Sequence, residues 1–174
     1  MKKLIAVIVL SVLALSLVAC GGANSSPAAV AEEAVKSIAK SDYAAAVDLT
    51  PDYLIADMGA DLGLPENCTR ADVVKAYKEF FDSMKELAGD DYKEPEVKDL
   101  KAEVVKEVKK GDADFEGKLN EYVEDLPSSA AGQFNKDKVE AFADVKVSGV
   151  VDGEAGDQTV TCIKYDGKWY IAEH

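Results

Sequence analysis

The segment Lys164-Tyr165-Asp166-Gly167-Lys168-Trp169-Tyr170-Ile171 predicts a β-hairpin. An Asp-Gly dipeptide between two runs of strand-forming residues is a strong hairpin signal, because it suits the left-handed backbone of a two-residue turn. A turn of that length gives the cross-strand pairs Tyr165–Lys168, Lys164–Trp169 and Cys162–Ile171. Alternation along the strands then puts four residues on one face, which we expect to be the core face: Val160, Cys162, Trp169 and Ile171.

Further strands are expected upstream of the hairpin. Valines alternate before an acidic, glycine-containing turn at residues 152–157, and they are Val145, Val147 and Val151. Residues 94–110 fit two patterns, because Val97, Leu100, Val104 and Val108 follow a helical period, whereas Leu100, Ala102, Val104 and Val108 line one face of a strand. The residues alone leave both interpretations open. A helical face from Phe115 to Val123, ended by Pro127, comes next.

The residues before this region predict short helices. Ser26 followed by Pro27 is a typical helix start, and the apolar face of the first helix, which runs to about Lys40, is Ala31, Ala34, Val35 and Ile38. A second short helix follows Ser41-Asp42, with Tyr43, Ala46 and Val47 on one side. We expect Thr50 to cap a third helix that runs to about Met58 and ends at Gly59.

Thr69 and Asp72 predict the start of the longest helix. Their spacing resembles a capping box, with aspartate in place of the usual glutamate. The helix is expected to end at Gly89 after Ala88. One face carries the large apolar residues Val73, Tyr77, Phe80, Phe81 and Met84, so we expect this helix to be part of the core.

The amino-terminal residues predict export and lipid attachment. Two lysines precede an apolar run from Leu4 to Ala19, whose 16 residues are fewer than the roughly 20 that span a bilayer. The segment Leu17-Val18-Ala19-Cys20 resembles the lipobox of bacterial lipoproteins. This resemblance implies a signal peptide at 1–19, a diacylglyceryl group on the thiol of Cys20, and a flexible tether at 20–28. We therefore expect lipid anchoring on the extracytoplasmic face of a bacterial membrane.

Composition favours one acidic domain over residues 29–174. The formal net charge of −13 becomes −15 once Lys2 and Lys3 are removed with the signal peptide. Such a surface is repelled by phosphate, so nucleic acid and anionic lipid headgroups are poor partners. The remaining cysteines, Cys68 and Cys162, are expected to form a disulfide in an oxidising compartment; the alternative is two unpaired, buried thiols.

Two segments resemble the NTF2-like (cystatin-like) domains of bacterial lipoproteins, many of which have no known function. Lys40-Ser41-Asp42-Tyr43-Ala44-Ala45-Ala46 is similar to their Gly-Asp-Tyr-x-x-Ala joint between the first helices, and residues 164–171 are similar to their closing hairpin. The resemblance covers about residues 28–174 and implies an α+β fold, in which N-terminal helices pack on a curved antiparallel sheet to form a cone. It also implies a strand at 94–110 and an inserted helix at 112–125.

Little in the sequence indicates catalysis or metal binding. The only histidine is His174, the last residue of the sequence, so we expect neither a catalytic triad nor a multi-histidine zinc site. For Cys68 or Cys162 as a nucleophile, only lysines and carboxylates are left as bases. Residues 112–117 copy the first half of a calcium loop, but the twelfth position is Val123 where a bidentate glutamate is needed. We therefore interpret these carboxylates as an acidic helix start and predict no catalytic residue, metal or cofactor.

These observations favour a non-enzymatic, lipid-anchored domain that binds a small apolar ligand or another envelope protein. The expected ligand pocket lies between the helix at 69–88 and the sheet, lined by Tyr77, Phe81 and Trp169. Two alternatives remain. One is an NTF2-like enzyme that uses an aspartate and a tyrosine for proton transfer, and the other is a structural partner subunit of an envelope complex.

Overall fold

A computed structural model describes residues 25–89 and 92–172, and shows an α+β fold. The expected signal peptide, the lipidation site Cys20 and His174 lie outside these residues. Within them, the α-helices are α1 Pro27–Ala39, α2 Tyr43–Val47, α3 Ile55–Asp61, α4 Arg70–Ala88, α5 Phe115–Asp125 and α6 Ser128–Ala131. The strands are β1 Val97–Lys109, β2 Val139–Val151, β3 Glu154–Tyr165 and β4 Lys168–Ile171, and short 3-10 turns cover Asp52–Leu54 and Lys136–Lys138.

The four strands form one open antiparallel sheet in the order β1-β2-β3-β4. Residues 97–109 are a strand, which resolves the ambiguity of this segment in favour of the interpretation that the family resemblance implied. Two irregularities in the pairing of β1 with β2 fall between Lys98 and Lys101 and between Val104 and Lys106. Such bulges and lysines are typical of an edge strand that is protected from pairing with other chains.

The pairing of β3 with β4 has the register that a two-residue turn predicts. Cys162 pairs with Ile171, Lys164 with Trp169, and Tyr165 with Lys168. Both turn residues have left-handed backbones, with φ of 53° at Asp166 and 81° at Gly167. This backbone matches the twist of the flanking strands, which is why Asp-Gly selects this register.

One face of the sheet is covered by α1. Ser26 caps this helix by accepting a hydrogen bond from the Ala29 N–H at 3.2 Å, and Pro27 occupies the first turn, two residues inside the expected tether. The four residues of the hairpin that were expected to face the core are all buried here: Val160, Cys162, Trp169 and Ile171. They pack against the apolar side of α1, so this face of the sheet is fully used by the first helix.

The opposite face is covered at one end by α5. Phe115, Leu119 and Tyr122 of this helix lie in one cluster with Phe142 of β2 and Ile163 of β3. The inserted helix that was expected at 112–125 therefore exists and closes a second core on the other side of the sheet.

The environment of α4 differs from the expectation. Its capping box is present, yet Val73 is its only fully buried residue, and the helix packs on α2 and α3 rather than on the sheet. Arg70 fixes this arrangement by donating hydrogen bonds to the carbonyl oxygens of Val47 and Thr50. α1 and α5 occupy the sheet instead, and the start of α4 joins a separate small cluster with residues of α2 and α3.

The third helix also begins and ends later than expected. Thr50 does not cap it, since its hydroxyl has no hydrogen-bond partner among the described residues; Pro51 is extended, and a 3-10 turn precedes α3. Gly59 lies inside α3 instead of ending it, and the side chain of Cys68 occupies the space that a Cβ at this position would need.

Candidate functional site

Of the three residues expected to line a ligand pocket, Tyr77 and Phe81 come together, with ring centroids 6.5 Å apart, but Trp169 lies elsewhere. Trp169 is 5% exposed and lies in the core beneath α1, whereas Tyr77 packs against the cluster formed by α3 and the start of α4. Phe81 stacks on Tyr43, with ring centroids 5.0 Å apart and an interplanar angle of 9°. The expected pocket between α4 and the sheet is therefore wrong, because α4 does not lie on the sheet.

The disulfide prediction is also wrong. Cys68 lies beside α3, and its thiol donates to the carbonyl oxygen of Ile55 at 3.7 Å. Cys162 is buried beneath α1, where its thiol donates to the carbonyl oxygen of Pro27 at the same distance, 3.7 Å. The two sulfurs are not bonded to each other, since they belong to separate hydrophobic clusters.

The carboxylates of the acidic segment at 112–117 form contacts within the fold. Asp112 accepts a hydrogen bond from the Lys109 N–H at 2.8 Å, and Asp114 forms an ion pair with Lys106 at 3.2 Å. Glu116 lies in the first turn of α5. The carboxylates therefore close the β1–α5 turn and start the helix, which is the interpretation that the sequence favoured.

A pair of buried tyrosines was not anticipated. The hydroxyl groups of Tyr53 and Tyr122 are 2.8 Å apart, and the Tyr53 ring contacts the rings of Phe134 and Tyr165 edge-on at 5.0 Å. Burial raises the pKa of both tyrosines above the ordinary value, so both hydroxyls stay protonated at neutral pH. The apolar face of α5 gave a signal for Tyr122, but no local pattern pairs it with a residue 69 positions earlier.

A cleft of about 400 Å³ opens beside Tyr122, between α5 and the sheet. Its lining residues are Lys118, Glu121, Tyr122, Asp125, Phe142, Thr161 and Ala172. The rim thus carries charges of both signs over a small apolar floor. This lining suits a polar molecule better than the apolar ligand that the sequence suggested, since covering charged side chains with an apolar molecule removes water from them at a cost.

The more apolar groove is small. It has a volume of about 100 Å³ and lies near Val35, Leu100, Val147 and Val151, where α1 meets the end of the sheet. Pockets for small ligands usually measure roughly 300 to 1,000 Å³. This groove is therefore a packing defect rather than a ligand site.

The largest unexplained apolar surface is on α4. Phe80 is 48% exposed and Leu87 is 89% exposed, although both belong to a helix whose other large apolar residues are half-buried or buried. Ala76 and Ser83 lie on the same side of the helix, and the Ser83 hydroxyl donates to the Glu79 carbonyl oxygen at 2.8 Å. The hydroxyl of Ser83 therefore has its hydrogen-bond partner within the helix. We call Ala76, Phe80, Ser83 and Leu87 the α4 stripe.

Exposed apolar residues also occur on β1, where Val104 and Val105 are 44% and 64% exposed. They sit at the irregularity of the edge strand, and the lysines of the strand lie close by in sequence. A kinked, charged edge disfavours strand addition. The α4 stripe is therefore the stronger candidate for a contact surface.

Searches for similarity give no guide to the family. No protein-family model, curated protein or solved structure matches this chain. None of the helices in residues 25–89 and 92–172 has the length and hydrophobicity needed to cross a bilayer.

Proposed function

We propose that this chain is a lipid-anchored, non-enzymatic domain on the extracytoplasmic face of a bacterial membrane, and that it binds another envelope protein through the α4 stripe. One observation carries the proposal: Phe80 and Leu87 are exposed on the longest described helix, at 48% and 89%. Isolated exposed apolar residues are common, but two large ones spaced seven apart on a helix form a line that a partner can cover.

The packing of the interior supports a protein partner over a small apolar ligand. α1 packs on one face of the sheet and α5 on one end of the other, and these contacts bury most of the apolar residues of β2, β3 and β4. The remaining cleft beside Tyr122 has a charged rim. An apolar small molecule therefore gains less from any described cavity than a protein helix gains from the α4 stripe.

The buried tyrosines support a role without catalysis. Tyr53 and Tyr122 hydrogen-bond to each other, and the raised pKa of each makes it a weaker acid than an ordinary tyrosine and keeps its basic phenolate form unpopulated near neutral pH. The alternative, an NTF2-like enzyme, needs an aspartate and a tyrosine that act on a common substrate. Tyr122 and Asp125 line one cleft, and the Tyr122 hydroxyl there is hydrogen-bonded to that of Tyr53 at 2.8 Å.

The proposal also includes the lipid anchor at Cys20 and the class of fold. The lipobox ends at Cys20, and α1 begins only seven residues later at Pro27. Two acyl chains on Cys20 hold a protein firmly, since each buried methylene contributes about 0.8 kcal/mol. The α+β order of helices followed by an antiparallel sheet is consistent with an NTF2-like cone, which we propose as the finer classification.

Membrane fractionation tests the anchor. Cys20→Ser removes the acceptor thiol, so the variant should move from the membrane fraction to the soluble fraction or stay unprocessed. Cys68→Ser is the matched control and should remain in the membrane fraction with the wild-type mass of the lipid group. Retention of an acylated Cys20→Ser protein contradicts the proposed anchor.

Native gel electrophoresis after mild solubilisation tests the partner. Membranes that carry the wild-type chain should give a discrete complex larger than the monomer. Phe80→Asp combined with Leu87→Asp should remove this complex, because a charge on each exposed apolar residue prevents burial. Val105→Asp on β1 is the control and should leave it intact. A complex that survives the double substitution contradicts docking through the stripe.

A further inference from the structure

We infer that the partner presents an amphipathic helix whose apolar seam is flanked by lysine or arginine. This inference rests on the proposed function and specifies the chemistry of its partner. It is carried by two observations on α4, namely the spacing of the stripe and the sign of the charges beside it.

The spacing of the α4 stripe is that of a helix–helix seam. Ala76, Phe80, Ser83 and Leu87 are separated by four, three and four residues. This alternation is the a/d repeat of a coiled coil, in which each side chain enters a hole formed by four residues of the facing helix. The seam covers three turns, about 16 Å, so a partner helix of similar length can cover it.

The two sides of the seam differ in chemistry. On one side lie Tyr77 and Met84, which are half-buried against the rest of the domain. On the other side lie Glu79 and Glu86, both exposed. Residues at these flanking positions pair with the charges of the facing helix and decide which partner is accepted.

The nearest lysine does little to neutralise this acidic side. The Lys75 ammonium lies 3.7 Å from the Glu79 carboxylate, and the two side chains are 75% and 68% exposed. Exposed pairs of this kind contribute at most a few tenths of a kcal/mol on a helix. The carboxylates therefore remain available to a cation from a partner.

A second copy of the chain is disfavoured as the occupant. Two α4 helices packed antiparallel along their seams bring the flanking glutamates of one copy against those of the other. The net charge without the signal peptide, −15, adds a repulsion between whole molecules. An anionic lipid surface is disfavoured for the same reason. A basic helix has neither penalty and gains from steering by the acidic surface.

Two synthetic peptides test this inference. The first has roughly 21 residues, with leucine at the seam positions and lysine at the flanking positions, and the second has glutamate in place of each lysine. Fluorescence anisotropy measures the binding of each peptide to residues 20–174 carrying Cys20→Ser, at about 0.15 M salt. The lysine peptide should bind at least about tenfold more tightly than the glutamate peptide.

Charge reversal provides the sharper comparison. Glu79→Lys combined with Glu86→Lys should reverse the preference between the two peptides. Glu103→Lys combined with Glu154→Lys changes the net charge by the same amount on exposed residues of β1 and β3, and should leave the preference unchanged. If both double variants behave alike, the preference is a general charge effect and the inference is overturned.

The remaining outcomes separate this inference from the proposed function. If both peptides bind equally, or if neither binds, the inference of a basic partner helix is overturned. The proposed function still stands in that case if the membrane complex depends on Phe80 and Leu87. If the wild-type chain shows no preference between the peptides and forms no membrane complex, both the inference and the proposed function are overturned. A dimer that Leu87→Asp abolishes in sedimentation analysis, or binding to phosphatidylglycerol vesicles through the stripe, replaces the basic helix by that occupant.

Discussion

Thr50 shows that a fully buried polar group can remain without a partner in this fold. Its hydroxyl oxygen contacts no hydrogen-bond partner among the described residues, while its carbonyl oxygen accepts a hydrogen bond from Arg70. A buried, unsatisfied hydroxyl costs free energy, and valine has nearly the same shape without the oxygen. The backbone contact to Arg70 survives any side-chain replacement.

We therefore expect Thr50→Val to raise the free energy of unfolding by about 1 kcal/mol. Urea denaturation of the wild-type chain and the variant measures the difference. Thr161→Val is the control, because the Thr161 hydroxyl donates to the Asp144 carboxylate at 3.3 Å and its loss should lower stability. A destabilised Thr50→Val protein means that the hydroxyl has a function in the fold.

Asp72 contributes stability that depends on pH. The hydroxyl and the N–H of Thr69 both donate to its carboxylate, at 2.7 and 2.8 Å, and they lower its pKa below the ordinary value of 3.8. Because the pKa is lower in the folded state, the contribution is complete above the ordinary value and is lost as the pH falls through the folded one.

The stability difference between wild type and Asp72→Ala should therefore be large near pH 7 and should shrink in acid, below about pH 4. Urea midpoints measured across this range provide the test. Glu66→Ala, in the exposed loop before α4, should show no such trend. A difference for Asp72→Ala that is the same at both ends of the range means that the carboxylate makes no net contribution to the cap.

At the scale of elements, the contact between α3 and the loop before α4 is close. A Cβ added at Gly59 overlaps the sulfur of Cys68 and makes ordinary contact with Leu64 at 3.5 Å. The glycine is thus required by its neighbour, since its position in mid-helix would otherwise favour alanine by about 1 kcal/mol.

Gly59→Ala should destabilise the wild-type chain by about 1 to 3 kcal/mol, because the sulfur has to move. In the background of Cys68→Ala the same substitution should stabilise, because only the helix propensity remains. A double-mutant cycle measured by chemical denaturation reports this change of sign. Equal effects in both backgrounds indicate that the sulfur moves aside without cost.

Local sequence patterns predicted elements well where the deciding interactions are local. Asp166-Gly167 fixed the hairpin register, and the Thr69–Asp72 box fixed the start of α4, because turn and cap depend on neighbouring residues. The surroundings of α4 were not predictable in this way. Periodicity identified an apolar face on this helix, but it does not state which element covers that face, or that Phe80 and Leu87 remain exposed.

The cysteines show the same limit at the scale of the whole chain. Their number and the expected compartment favoured a bridge, yet pairing depends on which cluster each residue joins. Cys162 follows β3 into the core beneath α1, and Cys68 stays with α3. The buried contact between Tyr53 and Tyr122 was missed for the same reason, since it joins residues far apart in the chain.

At the scale of the whole molecule, residues 25–89 and 92–172 form a sheet with helices packed on both faces and a long helix set to one side. α1 and α5 pack on the sheet, while α4 is held by α2 and α3 and keeps the stripe uncovered. This arrangement leaves the acidic-edged α4 stripe exposed, and the proposed lipid on Cys20 would hold it near the membrane. The central claim is that this surface is a protein-docking site.

Site-specific photocrosslinking in intact membranes tests that claim most directly. A benzoylphenylalanine at position 87 lies on the α4 stripe, and one at position 105 lies on another exposed apolar position of the same chain, 64% exposed. We expect a discrete adduct from position 87 and none from position 105, with a lysine- or arginine-flanked helix as the attached peptide in mass spectrometry. Equal labelling at both positions, or attachment only to lipid or to the chain itself, contradicts it.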